Sequence, residues 1–230
     1  MRPQLATPAI KPQSSDHPSG TSPDHSPTLG DLRFRALVPD SAWAQLPPAV
    51  RHRFSRRLAS GDTAVYVGEV LETRMSLLGR WLAQAARVIG SPFPTECGAK
   101  LPSVVTVSED GATSGQNWTR LYVRRSGFPQ IIHSCKRFAG PTGLEEHVGH
   151  GVGMALTVHV EERSLVFRSH HYFFGVLGRR LRLPMWMKPG DLLVKHTELG
   201  DGTFSFTLDL SHPTFGGLIH QYAIFREVHS

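Results

Sequence analysis

From position 102 to the C-terminus, short runs that alternate apolar and polar residues are separated by tight-turn chemistry, and few folds accept that pattern. Alternation with period two marks strands that bury one face, and Gly-, Pro- and Asp-rich breaks mark reversals. The runs fall at 104–107, 118–125, 130–138, 144–148, 153–161, 165–174, 191–199, 204–210 and 218–228, with an earlier one at 64–70. Breaks such as Glu109-Asp110-Gly111, Ser126-Gly127-Phe128-Pro129 and Gly200-Asp201-Gly202 supply the turns. About nine or ten strands joined mostly by short turns pair antiparallel with their sequence neighbours, and a sheet that long curls, closes or splits. The predicted fold is therefore α+β but mostly β. It is a long antiparallel up-and-down meander, strongly curved or barrel-like, with two or three N-terminal helices packed on it. In its middle, 151–189 predicts a hairpin running into a third extended segment, which stops at the corner Leu183-Pro184-x-Trp186-x-x-Pro189.

Residues 1–30 are rich in Pro, Ser, Asp, His and Thr. They carry too little apolar surface to offset the entropy of ordering, which predicts a disordered tail, or a docking peptide, ahead of a single β-rich domain at 31–230. Phe34, Leu37, Trp43 and Leu46 predict a short helical segment capped at Asp40 or Ser41. Pro47-Pro48 opens a second helix with Val50, Phe54 and Leu58 inward and Arg51, Arg53, Arg56 and Arg57 on a solvated basic face. Between 74 and 89, Met75, Leu78, Leu82, Ala85, Ala86 and Ile89 form an apolar stripe opposite Arg80, Gln84 and Arg87. A basic amphipathic helix of this kind can lie on a membrane surface. Here the β-rich remainder needs a cover, so the expectation is packing on the sheet.

Two cysteines, Cys97 and Cys135, make no disulfide framework and fit a reducing compartment. The first thirty residues lack a signal-peptide core, and no apolar run approaches the ~20 residues of a membrane-spanning helix. A soluble, cytoplasmic protein is the expectation. The net charge of +6 permits attraction to nucleic acid or anionic lipid, but no nucleic-acid-binding motif accompanies Arg179, Arg180 and Arg182. Gly149-x-Gly151-x-Gly153 is followed by a strand, where a dinucleotide fingerprint needs a helix. No cofactor is expected.

Strand alternation separates the faces on which chemistry would sit. Trp118, Arg120 and Tyr122 share one face; Ile131, His133, Cys135 and Arg137 share another; His220 and Tyr222 align with Leu218 and Ile224. His159 sits mid-strand, His196 aligns with Leu192 and Val194, and strict alternation sends His170 and His171 to opposite sides. Aligned strands of this kind would line a semi-polar concavity with aromatic walls, the description of a small-molecule site. The expected ligand is amphiphilic or apolar. Trp118, Arg120 and Tyr122 would anchor it, Arg taking an anionic head and the rings a flat or apolar body, with His159, His220 and Tyr222 adding to the wall. The bland alternative is that these are scattered side chains on a wet face. An enzyme using Glu146 with His133, His171 or His196 as acid–base groups is the rival from another class. A protein-interaction module built on the tail and the basic helix is the third reading. Glu146-His147-x-x-His150 falls short of the three or four ligands of a zinc site, so no metal is expected.

Leu46-Pro47-Pro48-x-Val50-Arg51, Trp118-x-Arg120, Leu144-x-Glu146-x-x-Gly149, the Leu183–Pro189 corner, Phe204-x-Phe206 and Gly217-Leu218 occur in this order. Together they resemble a bacterial domain-of-unknown-function family, number 4166, over about 32–228. The resemblance carries over no catalytic residues. Similar domains occur alone or behind NAD(P)-binding Rossmann-type domains, which implies an accessory role beside an oxidoreductase domain or protein.

Overall fold

The computed structural model describes residues 30–90, 93–95, 97–98, 100–177 and 179–228; the predicted tail lies outside the described residues apart from Gly30. The strands are β1 (Thr63–Met75), β2 (Leu101–Asp110), β3 (Gly115–Tyr122), β4 (Gln130–Arg137), β5 (Leu144–Gly149) and β6 (Val152–Glu161). They continue with β7 (Ser164–Val176), β8 (Arg179–Arg182), β9 (Asp191–Gly200), β10 (Thr203–His212) and β11 (Gly216–Val228). Their order is β6-β5-β4-β3-β2-β1-β11-β10-β9-β7-β8, and β6 also pairs with β7. Ten strands thus close into an antiparallel barrel, leaving the short β8 as an outer flap on β7. Closure removes the exposed edges that an open meander would present. The strand β7 makes it possible by dividing its partners: Leu165–Arg168 pair with β9 and Phe173–Val176 with β8, while β6 runs along its other side.

Period-two alternation then sorts side chains to the inside or the outside of the barrel. Val105, Trp118, Ile132, Glu146, Met154, Phe167, Val194, Phe206 and Ala223 face the interior. Gly68 stands opposite Phe225 in the β1–β11 pair, and the Ile224 carbonyl, with the Phe225 ring behind it, occupies the volume a Cβ there would need. One departure from alternation corrects the sequence reading. His171 pairs with Ala155 and Ser169 with Leu156, so His170 is the extra residue of a β-bulge. The bulge brings His170 and His171 together, Nδ1 to Nδ1 at 2.9 Å, rather than to opposite sides. It also lets Tyr172, rather than His171, follow Phe167 into the interior.

Adjacent strands run in opposite directions, so the connections sort to two ends. One end gathers the β2–β3, β4–β5, β6–β7 and β9–β10 turns, and two short helices pack over it. These are α1 (Asp40–Trp43) and α2 (Pro48–Phe54). Phe34 meets Phe54 at 5.1 Å and Phe138 at 4.9 Å, and Phe54 meets His196 at 5.1 Å, in edge-on contacts that plug the barrel. The predicted basic face is only partly solvated: Arg57 is exposed, but Arg51, Arg53 and Arg56 are half-buried. Arg53 lies over the Phe204 ring at 3.9 Å and reaches Glu198 at 3.4 Å, and Arg56 pairs with Glu227 at 2.6 Å. The helix stops at Phe54, and Leu58 packs from the following loop against the second apolar cluster.

The other end gathers the β1–β2, β3–β4, β5–β6, β7–β9 and β10–β11 connections. Here α3 (Leu77–Ala85) continues into a 3-10 turn, Ala86–Ile89. The residues 74–75 expected in the helix belong to β1, and Ser76 is the N-cap, its Oγ accepting from Gly79 N at 3.1 Å. Gly79 rests on the Leu218 carbonyl of β11 so closely that no Cβ fits. Gly90, at the far end, approaches the Val148 carbonyl of β5. β11 and β5 stand five strands apart in the ring of ten, so this helix packs on the sheet as expected and does so across the barrel mouth.

Candidate ligand cavity

Beneath α3 the barrel is not filled. A cavity of about 670 Å³ runs from the helix down to the Trp118 and Phe206 layer. Leu82, Ala86, Ile89 and Phe93 form its roof, and Ile132, Met154, Phe167, Leu192, Val194, Phe206 and Leu208 its walls. The corner after β8 contributes Leu183, Pro184, Met187 and Pro189 beside the opening. Proline holds that corner: Pro184 is extended and Met185–Met187 make one 3-10 turn before Pro189.

A charged cluster interrupts this apolar lining on one wall. β3 contributes Arg120, β4 Ser134 and Lys136, and β5 Glu146, with Lys136 opposite Glu146 and Trp118 opposite Ser134 in the ladder. Lys136 Nζ lies 3.2 Å from Glu146 Oε2, and Arg120 Nη2 lies 3.4 Å from Glu146 Oε1. Arg120 Nη1 also donates to Ser134 Oγ at 3.3 Å. Burial by itself would raise the Glu146 pKa, but Lys136 and Arg120 outweigh it and hold the carboxyl at about 2. Burial lowers the Lys136 pKa, partly offset by Glu146. Its ammonium also sits 4.6 Å from the Trp118 ring centroid. With both cations protonated the cluster carries one net positive charge facing an apolar space.

Other polar groups complete the wall. Tyr122 OH donates to Gln221 Oε1 at 3.3 Å, and burial raises its pKa. Trp118 Nε1 is buried and has no hydrogen-bond partner among the described residues, which leaves an unused donor in the wall.

Of the residues singled out in the sequence, Trp118, Arg120, Tyr122 and Glu146 line the cavity together. His196 is fully buried lower down, between Phe54, Phe204 and Phe206. Burial and the neighbouring Arg53 push its pKa well below 6.5, so it is neutral. Arg53 Nη1 donates to its Nε2 at 2.8 Å, which places the remaining proton on Nδ1. His133 borders the wall but is exposed and bonds Thr119 Oγ1 at 3.0 Å. His171 stays in the half-exposed bulge with His170. His159 and Tyr222 lie outside the barrel, as does His220; His159 pairs with Glu161 at 2.9 Å and His220 with Asp209 at 2.6 Å. The partners of Glu146 among the described residues are Lys136, Arg120 and Ser134 rather than a histidine.

Lys136, Ser134 and Gln221 are the cavity residues that the sequence reading missed. The signal existed: Ile132, Ser134 and Lys136 alternate with His133 and Cys135, but only the ladder tells which set faces in. His147 and His150 form no metal cluster either; His147 leaves β5 on the side opposite Glu146 and meets Phe173 at 5.4 Å and Glu145 at 3.3 Å. Among the described residues no group of three or more His, Cys, Asp or Glu is placed to hold a metal ion, and no helix is long and apolar enough to cross a membrane.

No protein of curated function matches the chain. A family model described as Domain of unknown function (DUF4166) matches residues 46–225, from the residues before α2 to the inner face of β11. That span takes in α3, every wall of the cavity and the Arg120–Lys136–Glu146 cluster, and on this match the chain belongs to the DUF4166 family.

Proposed function

We propose that the barrel binds a small, largely apolar molecule that carries one anionic group, such as a fatty acid, an isoprenoid acid or a flat aromatic acid. The observation that carries the reading is the cavity itself. Its volume of about 670 Å³ falls within the roughly 300–1,000 Å³ of small-molecule sites, and it is mostly apolar with a few convergent polar groups. The net charge of the cluster selects the sign of the head group. Arg120, whose side chain is 24% exposed against 7% for Lys136, is the cation offered to the ligand. Its planar fork suits a carboxylate. The apolar body would lie against Ile132, Met154, Phe167 and Leu208.

The acid–base alternative draws no support from a Glu146–histidine pair, and a carboxyl held at about 2 is a weak base near neutrality. Thermal-shift and calorimetric titration of the full chain with long-chain fatty acids, isoprenoid acids and aromatic acids, each beside its neutral alcohol or amide, tests the proposal. Stabilisation by acids and not by their neutral counterparts is expected. Failure of every acid to stabilise the protein would overturn it.

A further inference from the structure

We propose that the end of the barrel bearing the cavity mouth docks on an anionic lipid membrane. The apolar residues exposed on this protein are strongly polarised. Of the 18 large apolar side chains exposed among the described residues, 15 lie in or beside the connections at the mouth end, and only Leu32, Leu199 and Val228 lie at the other. That asymmetry excludes a random scatter of surface apolar groups. Leu77, Trp81 and Val88 project from the outer side of the helix that crosses the mouth, each at least 76% exposed. Phe128, Met185 and Trp186, each at least 83% exposed, stand on the β3–β4 turn and on the corner beside the opening.

The loop acidic residues are divided in the opposite sense, although basic residues occur at both ends. The mouth-end segments 77–90, 123–129, 149–151, 177–190 and 213–215 contain eight Arg and Lys and no Asp or Glu; two of the eight are ion-paired from the adjoining strands, Arg180 with Glu145 at 2.7 Å and Lys188 with Asp191. Asp62, Glu109, Asp110, Glu162, Glu198 and Asp201 sit at the opposite end. Arg80 and Arg87 share α3 and its 3-10 turn with Trp81 and Val88, so cations flank the apolar residues on a single face. Apolar and aromatic side chains set among basic ones suit the headgroup boundary of an anionic bilayer, where rings enter and cations meet phosphates. The cavity opens within this face, so an apolar molecule would pass between bilayer and barrel without crossing water. That purpose rests on the proposed ligand reading, whereas the polarised rim stands without it.

Vesicle flotation of the full chain is the test, with phosphatidylcholine alone and with about a third phosphatidylglycerol, at low and high salt. At least tenfold more protein is expected to float with the anionic vesicles, and most of that gain to vanish in high salt. The double substitution Trp81→Ser/Trp186→Ser is expected to cut anionic-vesicle binding at least tenfold, and Arg80→Glu/Arg87→Glu to abolish the preference for anionic lipid. None of these four side chains lines the cavity, so both variants are expected to keep the wild-type melting temperature and acid binding in solution. Wild-type protein that floats with neither vesicle overturns the proposal. So does a tryptophan variant that binds like the wild type. Light scattering that gives a dimer for the wild type and a monomer for the tryptophan variant would assign the face to a second copy instead. Arg120→Ala separates the two readings: it is expected to lose acid binding and keep vesicle binding.

Discussion

Glu146→Gln isolates the electrostatics of the cavity, because the amide keeps the shape and removes only the charge shared by Lys136 and Arg120. The Glu146 and Lys136 side chains are 9% and 7% exposed and 3.2 Å apart. Breaking a buried pair leaves an uncompensated charge, at a cost of about 3–5 kcal/mol. Loss of the Lys136 proton sets a ceiling on that cost. Neutralising an ammonium of ordinary pKa 10.5 requires about 4.8 kcal/mol at pH 7 and about 2 kcal/mol at pH 9, at about 1.36 kcal/mol per pH unit. The expected destabilisation is therefore about 3–5 kcal/mol at pH 7, falling to about 2 kcal/mol or less at pH 9. Urea unfolding at both pH values, followed by tryptophan fluorescence, measures it from midpoint and slope. In a chain of this size the melting temperature at pH 7 should fall by about 6–20 °C. A variant as stable as the wild type at pH 7, or a penalty that does not shrink by pH 9, would refute the assignment of Glu146 as the counter-ion that keeps Lys136 charged.

Arg120→Ala is expected to weaken binding of carboxylate ligands at least tenfold while leaving the neutral analogues unchanged, as read by calorimetric titration. In His196 the folded pKa is depressed, so the unfolded chain takes up a proton that the folded one refuses. The stability this residue contributes is full above pH 6.5 and is lost as pH falls below it, by about 1.4 kcal/mol per pH unit. His196→Leu should remove about one proton from the uptake on unfolding between pH 6.5 and 5, and an unchanged pH slope would count against a buried neutral imidazole. Gly79→Ala places a methyl group against the Leu218 carbonyl. Overpacking of this kind costs about 1–3 kcal/mol, and limited proteolysis within 77–90 should accelerate; an unaltered digestion pattern would argue against the seating of α3 on β11.

Half of the cavity's charged cluster was legible before the fold. Trp118, Arg120 and Tyr122 stand on one face by alternation, and β3 runs without a bulge, so they stay together. Glu146 stands out in the sequence as a candidate acid–base partner of His133, His171 or His196. The ladder gives it Lys136 instead, a residue in another strand whose distance in sequence carried no signal. His220 and Tyr222 show the opposite outcome. Their shared face was read correctly, but alternation does not say which face is inside, and here Gln221 and Ala223 take the interior. The His170 bulge was also invisible, since one unpaired residue in β7 changes the parity of everything after it.

The sequence by itself determined the strands, most of the turns and the closing corner, because alternation and turn chemistry are local properties of the backbone and its nearest side chains. It also set the amphipathic character of α3. Only the tertiary structure decided that the meander closes through β6–β7 and β7–β9, that α2 plugs one end and that α3 bridges the other. Those are outcomes of register and of long-range contact, in which a shift of a single residue exchanges inside for outside. The same physics sets the predicted sheet-packing helix across the barrel mouth, with Trp81 and Leu77 left facing out.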